Sequence, residues 1–280
     1  MIPLDPVLVL HLFPEERSAL LDLLSHLTDD EWDRPTVCPG WSVKDVALHL
    51  LGDDVGRLSR GRDAFSGAAF VPKGHADFEA HLLAFINRMN ELWAQAARRI
   101  SPRLLCDLLR FTGDETQRYF QSLDLFAIGE PVSWAGPGPA LVWLDVAREY
   151  TERWLHQQQI RDALGTPALK EPRFFATVLA TFVRALPHTF RDVPTHDGTH
   201  VKLIISGDAG GKWSLLRREG RWALYRDVSA NPHAAAVIDA DTAWRLFTKG
   251  VTKADALARA SIRGDRALAE KLFDTVSIIA

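Results

Sequence analysis

The sequence predicts an α plus α+β protein, a bundle of four substantial helices followed by a smaller α+β domain. Apolar residues recur at helical spacing up to Gly165, shift to period two from His200, and return to helical spacing in the tail. With 280 residues, 47% of them apolar, the chain is long enough for two cores rather than one.

In the first part, residues 14–27 place Ala19, Leu20, Leu23, Leu24 and Leu27 on one helical face. The next helix opens after Cys38, Pro39 and Gly40. There Ser42, followed three residues on by Asp45, predicts a capping box with aspartate in its third position. A third helix is expected over 76–99, burying Phe78, Leu82, Phe85, Met89, Leu92 and Trp93. Prolines and glycines interrupt the pattern between Ser101 and Gly138, leaving a short helix at 114–123 as the expectation. A fourth long helix is expected from Pro139 in its first turn to Gly165 at its C-terminal cap.

The domain boundary is expected between Gly165 and Pro172, dividing the chain into residues 1–166 and 167–280. "EPRFFATVLATFVRAL" still reads as helix, whereas "HVKLIISG", "KWSLLRR", "RWALYRDV" and "AAAVIDA" read as four short strands punctuated by "GDAGGK" and "REG". Amphipathic helices at Thr242–Lys249 and Arg266–Val276 complete the α+β domain.

Composition excludes several classes. The chain has 33 basic and 36 acidic residues, so no surplus of positive charge is available to neutralise a phosphate backbone, and nucleic acid is not expected as a partner. The opening "MIPLDPVLVLHLFPEE" has no basic leader, and no later run approaches the ~20 apolar residues of a membrane span. A cytoplasmic location without membrane contact is therefore expected. Cys38 and Cys106 are too few for a disulfide scaffold and suit a reducing compartment. No phosphate-binding glycine loop or serine-nucleophile elbow is present. Monomer and homodimer both stay open.

The candidate chemistry lies in two stretches. In "EYTERWLHQQQIRDALG", Glu152 and His156 are four residues apart and share a helical face, where two donors can grip one ion. Read alone, these residues with Arg148, Glu149 and Gln159 equally describe a solvated helix face. His49 is similarly two-sided: it lies one turn from Asp45 and Asp53, beside Val43, Val46, Ala47 and Leu50, and could be a partly buried histidine held by a carboxylate. Together they suggest more, because a His from one bundle helix and a Glu-x-x-x-His from another is how bundles gather metal ligands. Three such ligands leave coordination positions open, as in catalytic zinc and some non-haem iron sites.

"EWDRPTVCPGWSVKDVALHL", followed later by "TERWLHQQQIRDALG", resembles the mycothiol-dependent maleylpyruvate isomerase family, a branch of the DinB-like metal-binding helical bundles. The resemblance covers roughly residues 10–165, and the C-terminal part is similar to the sterol-carrier-like α+β domain that accompanies this bundle. It implies His49, Glu152 and His156 as metal ligands, with Pro39 and Gly40 forming a turn, Trp41 packing at the helix start and Ser42 capping it. It implies a divalent metal, zinc foremost with nickel or iron as alternatives, and a low-molecular-weight thiol such as mycothiol held as thiolate. The implied activity is an isomerase or S-transferase for a small, electrophilic, maleylpyruvate-like acid. Relatives often carry an aspartate where this chain has Gln159, which puts a role at that position in doubt. Arg148, Arg153, Arg221 and Arg226 are candidate cations for an anionic substrate, and each is also readable as a surface arginine.

Two other classes stay open. One is a non-catalytic binding module for an apolar ligand, with Trp134, Trp143, Trp154, Trp213 and Trp222 lining an interdomain cleft; the other is a dimerising structural protein with a vestigial site. Among the remaining histidines, His196 and His200 are expected in a loop set by Pro194 and Gly198, His75 and His81 do not align, and His11, His26, His188 and His233 read as isolated. Cys38 precedes a helix start, where a reactive thiol would be favoured, but is expected to be buried and inert, as is Cys106.

Overall fold

A computed structural model describes residues 2–65, 78–226, 228 and 230–278, with side chains from residue 83 onward in the helix that begins at Phe78. His75, Ala76 and the side chains of Phe78, His81 and Leu82 lie outside the described residues. The chain forms two compact units that do not follow chain order. A helical unit comprises Val9–Asp124 and Glu152–Ala168; a mixed unit comprises Met1–Leu8, Leu125–Thr151 and Leu169–Ala280. No helix among the described residues is long and apolar enough to cross a membrane.

The helical unit contains α1 (Phe13–Leu24), α2 (Asp29–Trp32), α3 (Val43–Arg57, extended by a π-helical turn over Leu58–Arg62), α4 (Phe78–Ala97), α5 (Pro102–Gln121) and the part of α6 (Val142–Leu164) from Glu152 onward. The expected capping box starts α3: Ser42 Oγ accepts from the Asp45 N–H at 3.3 Å, and the Asp45 carboxylate accepts from the Ser42 N–H at 3.0 Å. Arg98 clamps the same carboxylate at 2.8 and 3.0 Å.

Several sequence expectations change. The interrupted stretch after Ser101 is one continuous helix, capped by Ser101 and opened by Pro102 in its first turn. Its interior Gly113 acts as a point of close approach: a Cβ there would lie 2.9 Å from Arg17 Nη1. In α4, Met89 and Leu92 are 40% and 43% exposed, and the helix instead buries Ala94 and Ala97. Gly52 of α3 makes room for the Trp93 ring, since a Cβ there would lie 2.7 Å from Trp93 Nε1, and Trp93 Nε1–H donates to the Leu48 carbonyl at 2.7 Å. Helix α6 begins at Val142 rather than Pro139, because Ala140–Leu141 (β2) first pair with Ile128–Gly129 (β1) in a short antiparallel ladder.

Charged groups lie inside the helical unit. Asp54 of α3 is fully buried; its Oδ2 accepts from Arg17 Nη1 and Thr112 Oγ1, both at 2.8 Å, and its Oδ1 from Arg153 Nη2 at 2.7 Å. Arg153 is 2% exposed, which corrects its reading as a surface arginine. Its guanidinium also sits 5.7 and 5.9 Å from the ring centroids of Phe13 and Phe120.

The mixed unit carries α7 (Pro172–Phe182), α8 (Leu186–Thr189), a five-stranded sheet and three short helices, α9 (Ala240–Phe247), α10 (Lys253–Ala258) and α11 (Arg266–Lys271). The strands are β3 (His200–Ser206), β4 (Gly211–Arg218), β5 (Arg221–Arg226), β6 (Ala234–Asp239) and β7 (Ser261–Gly264), in the order β5-β4-β3-β6-β7. All pairs are antiparallel except β3 with β6. The period-two reading located four of the five strands; β7 is four residues long and too short to show alternation. In β3, Val201, Leu203 and Ile205 alternate into the core, while Phe174, Val178 and Phe182 of α7 are buried as well. Trp134, Trp143, Trp154, Trp213 and Trp222 are all buried.

His200, read both as a loop residue and as the first residue of the strand "HVKLIISG", follows the strand reading. It opens β3 rather than lying in a loop, is buried, and places Nε2 2.9 Å from Ser214 Oγ. His233 is not isolated: its Nδ1 accepts from the His200 N–H at 3.1 Å, and its ring meets that of His196 at 5.8 Å.

Gly264 and Gly220 both have φ +74, but a Cβ at Gly264 would lie 2.1 Å from the His233 carbonyl oxygen, whereas at Gly220 it would meet nothing within 4 Å. Gly220→Ala is therefore expected to cost about 1 kcal/mol from the left-handed backbone alone, and Gly264→Ala at least twice as much. Urea unfolding of the two variants checks the difference, and equal losses would contradict it.

Candidate functional site

Helices α3 and α6 each present an acid and a histidine one turn apart. His49 Nε2 lies 3.3 Å from Asp53 Oδ2, and His156 Nε2 lies 3.8 Å from Glu152 Oε2. The two imidazoles meet edge to face, with ring centroids 4.6 Å apart at 84°. The structure thus brings together the three residues singled out by the sequence, His49, Glu152 and His156, and adds Asp53. His49 is 8% exposed, and the Trp41 ring packs against it at 5.3 Å. Trp41 also donates from Nε1 to Glu91 Oε2 at 3.2 Å, so it both anchors the helix start and covers part of the site.

Gln159 and Cys38 complete the group. Gln159 Oε1 lies 2.7 Å from His156 Nδ1 and accepts the Cys38 Sγ–H at 3.3 Å. Nδ1 pairs with a carbonyl-type oxygen and so carries the proton, leaving the lone pair on Nε2, the nitrogen beside Glu152. The acceptor at this position, Gln159, is thus neutral. Cys38 is only partly buried and touches the site, contrary to expectation, because the Cys38–Trp41 turn is closed by a 3.0 Å bond from the Trp41 N–H to the Cys38 carbonyl. Cys106 is buried, as expected, and burial raises its thiol pKa.

Of the residues first read as neighbours of His49, Asp53 stays at the site, whereas Asp45 is taken up by the helix cap and Arg98. The sequence signal for Asp53 was the i, i+4 spacing that also picks out Glu152 and His156. Gln159 and Cys38 carry no comparable signal, since their meeting depends on the turn and on the facing of two helices. Arg148 is paired with Asp145 and Glu149, Arg226 with Asp5, and Arg153 with Asp54.

The environment drives the two imidazoles apart. Burial, with the positive neighbours His156 and Arg153, outweighs Asp53 and lowers the His49 pKa from 6.5 to about 4. Burial also pushes His156 downward, but contacts with Cys38 and Gln159 and the charge of Asp53 outweigh it, and the His156 pKa is raised. His49 is therefore neutral at pH 7.

As a metal site, the group fits in its donor chemistry. Imidazole nitrogens and carboxylate oxygens are the usual zinc donors, and an Nδ1–H held by an acceptor is the usual support of a ligating histidine. Among the described residues no three His, Cys, Asp or Glu side chains already stand in an arrangement ready to hold an ion.

The buried, neutral His49 has a stability consequence. In metal-free protein the unfolded state binds a proton at His49 near pH 6.5 and the folded state only near pH 4. Stability is therefore lost as pH falls through that window, by about 3 kcal/mol for this group, whereas the raised His156 adds stability at low pH that fades as pH rises through its folded value. Chelator-treated His49→Gln is expected to lose much less stability than wild type between pH 6.5 and 4. Chemical unfolding across that range tests this, and parallel profiles would contradict it.

A family model described as the mycothiol maleylpyruvate isomerase N-terminal domain matches residues 13–161. Two uncharacterised proteins from strains of Mycobacterium tuberculosis are each 30% identical over 162 residues, covering 55% of this chain and 56% of theirs. The chain thus spans about half the length of the curated relatives it matches. Crystal structures of mycothiol-dependent maleylpyruvate isomerase and of a mutant of it share the fold at TM-score 0.51, covering 85% of this chain and 86% of theirs, at 11% and 10% identity. By the match across residues 13–161 the chain belongs to the mycothiol maleylpyruvate isomerase N-terminal domain family.

Proposed function

We propose that His49, Glu152 and His156 hold a divalent metal, zinc foremost, and that the protein is a thiol-dependent isomerase or S-transferase for a small, electrophilic, maleylpyruvate-like acid, with mycothiol as the thiol. We place it in the cytoplasm and read the mixed unit as similar to sterol-carrier folds. The observation that carries this reading is the meeting of two imidazoles from separate helices at 4.6 Å, each with a carboxylate one turn away. Family membership over residues 13–161 supports it, as does the fold shared with mycothiol-dependent maleylpyruvate isomerase.

The chemistry such an ion supplies is a positive charge that keeps a coordinated thiol deprotonated at neutral pH. Sulfur addition to a conjugated acid accounts for both outcomes, isomerisation on release after bond rotation and S-transfer on retention. The chain's own contributions follow from the geometry. Burial keeps His49 neutral, so protons do not compete for its lone pair near pH 7. Gln159 holds the Nδ1–H of His156, and the carboxylates of Glu152 and Asp53 offset added positive charge. Trp41 excludes water from one side of His49.

Protein purified without an affinity tag is expected to contain about one equivalent of zinc or nickel, lost in His49→Ala and in His156→Ala. A thiol panel assayed with electrophilic conjugated acids is expected to show turnover with mycothiol that falls on the order of 100-fold or more in both variants. A wild type of normal stability that takes up no added zinc would overturn the reading in favour of a non-catalytic binding module.

A further inference from the structure

The buried charges of the helical unit lie directly behind the site. Asp54 follows Asp53 on α3, and Arg153 follows Glu152 on α6. Successive helical residues diverge by about 100°, so each helix turns one acid toward the histidine pair and the next residue into the interior. There the Arg153 Nη2–H donates to Asp54 Oδ1 at 2.7 Å, with both side chains at most 2% exposed.

A buried ion pair is weak evidence for stability, because desolvation offsets its attraction and an apolar pair of similar volume serves as well. What a direct bond between facing helices does supply is register. Sliding α6 along α3 by one residue moves its side chains about 1.5 Å and turns them about 100°, enough to part rings whose centroids are 4.6 Å apart. The other arm of the cluster has a different reach. Arg17 of α1 bonds Asp54 Oδ2 at 2.8 Å and the Leu109 carbonyl at 2.5 Å, tying α1 to α3 and α5, while α6 bonds α1 through other groups, Gln157 Nε2–H to Glu16 Oε1 at 2.7 Å and Arg161 Nη2–H to the Ala19 carbonyl at 3.2 Å.

We propose that Arg153 and Asp54 are positioning residues, whose buried bond sets α6 against α3 and so keeps His49 beside Glu152 and His156. This rests on the metal-binding reading above. Arg17 stabilises the same unit but does not set the site.

The two arginines allow the test. Metal-free wild type, Arg153→Lys and Arg17→Lys are titrated with Co(II) well below their unfolding temperatures, following the visible d–d bands and the dissociation constant, with thermal unfolding measured alongside. Both variants are expected to lose stability. Arg153→Lys is expected to bind Co(II) roughly 10- to 100-fold more weakly with altered band intensities, while Arg17→Lys stays within about 2-fold of wild type. Unchanged affinity in Arg153→Lys, or equal weakening in both variants, would overturn the proposal and leave the pair a purely structural one. Should Arg153→Lys fail to fold, Arg153→Gln, which keeps one donor without the charge, is read by the same criteria. Absence of Co(II) binding in wild type would be a failure of the metal reading itself, recognisable because it precedes any variant.

Discussion

The carboxylate of Asp54, enclosed by Arg17, Arg153 and Thr112, is the contact from which the rest of the helical unit can be understood. An ionised group with no access to water is tolerated only when each oxygen is fully bonded, and here both are. Three helices other than its own supply those bonds: α1 through Arg17, α5 through Thr112 and α6 through Arg153. The Asp54 pKa is lowered, since the two arginines and their hydrogen bonds outweigh burial. Glu16, also fully buried, goes the other way: burial prevails over Arg17 and Gln157, and its pKa is raised. The interior is thus organised around one charge that must stay ionised and one that is eased toward neutrality.

The same helices carry the site one residue away. Hydrophobic packing alone fixes the distance between helices but resists rotation and sliding weakly, because apolar contacts are non-directional. The bonds at Asp54 are directional, and they act where direction matters to His49 and His156. Neighbouring groups then differentiate two chemically identical side chains that are both buried. Burial lowers the proton affinity of His49, whereas Cys38, Asp53 and Gln159 outweigh it at His156 and raise the affinity there.

Much of this was readable in the chain. The Ser42–Asp45 box, the strands of alternating residues and the i, i+4 pair of Glu152 and His156 are local patterns, and local patterns survive folding. His49 needed the family resemblance, because one histidine beside an apolar stripe has several equally good explanations. What escaped was non-local. Gly113 looks like a helix breaker until Arg17 is placed against it, and Met89 and Leu92 look like core until the buried face is seen to run through Ala94 and Ala97, on another side of the helix. Arg153 reads as a surface cation beside Glu152, and only the meeting of α3 with α6 shows its partner, ninety-nine positions away. Gln159 and Cys38 join the site for the same reason, through a turn and a helix that are far apart in sequence.

The most direct test is crystallographic: diffraction data from the full chain, purified without an affinity tag and supplied with zinc, collected on both sides of the zinc absorption edge. One anomalous peak is predicted within about 2.0–2.2 Å of a nitrogen of His49, a nitrogen of His156 and an oxygen of Glu152. Those three side chains resolved in order with no peak between them, or turned apart so that no single ion could reach all three, would contradict the account.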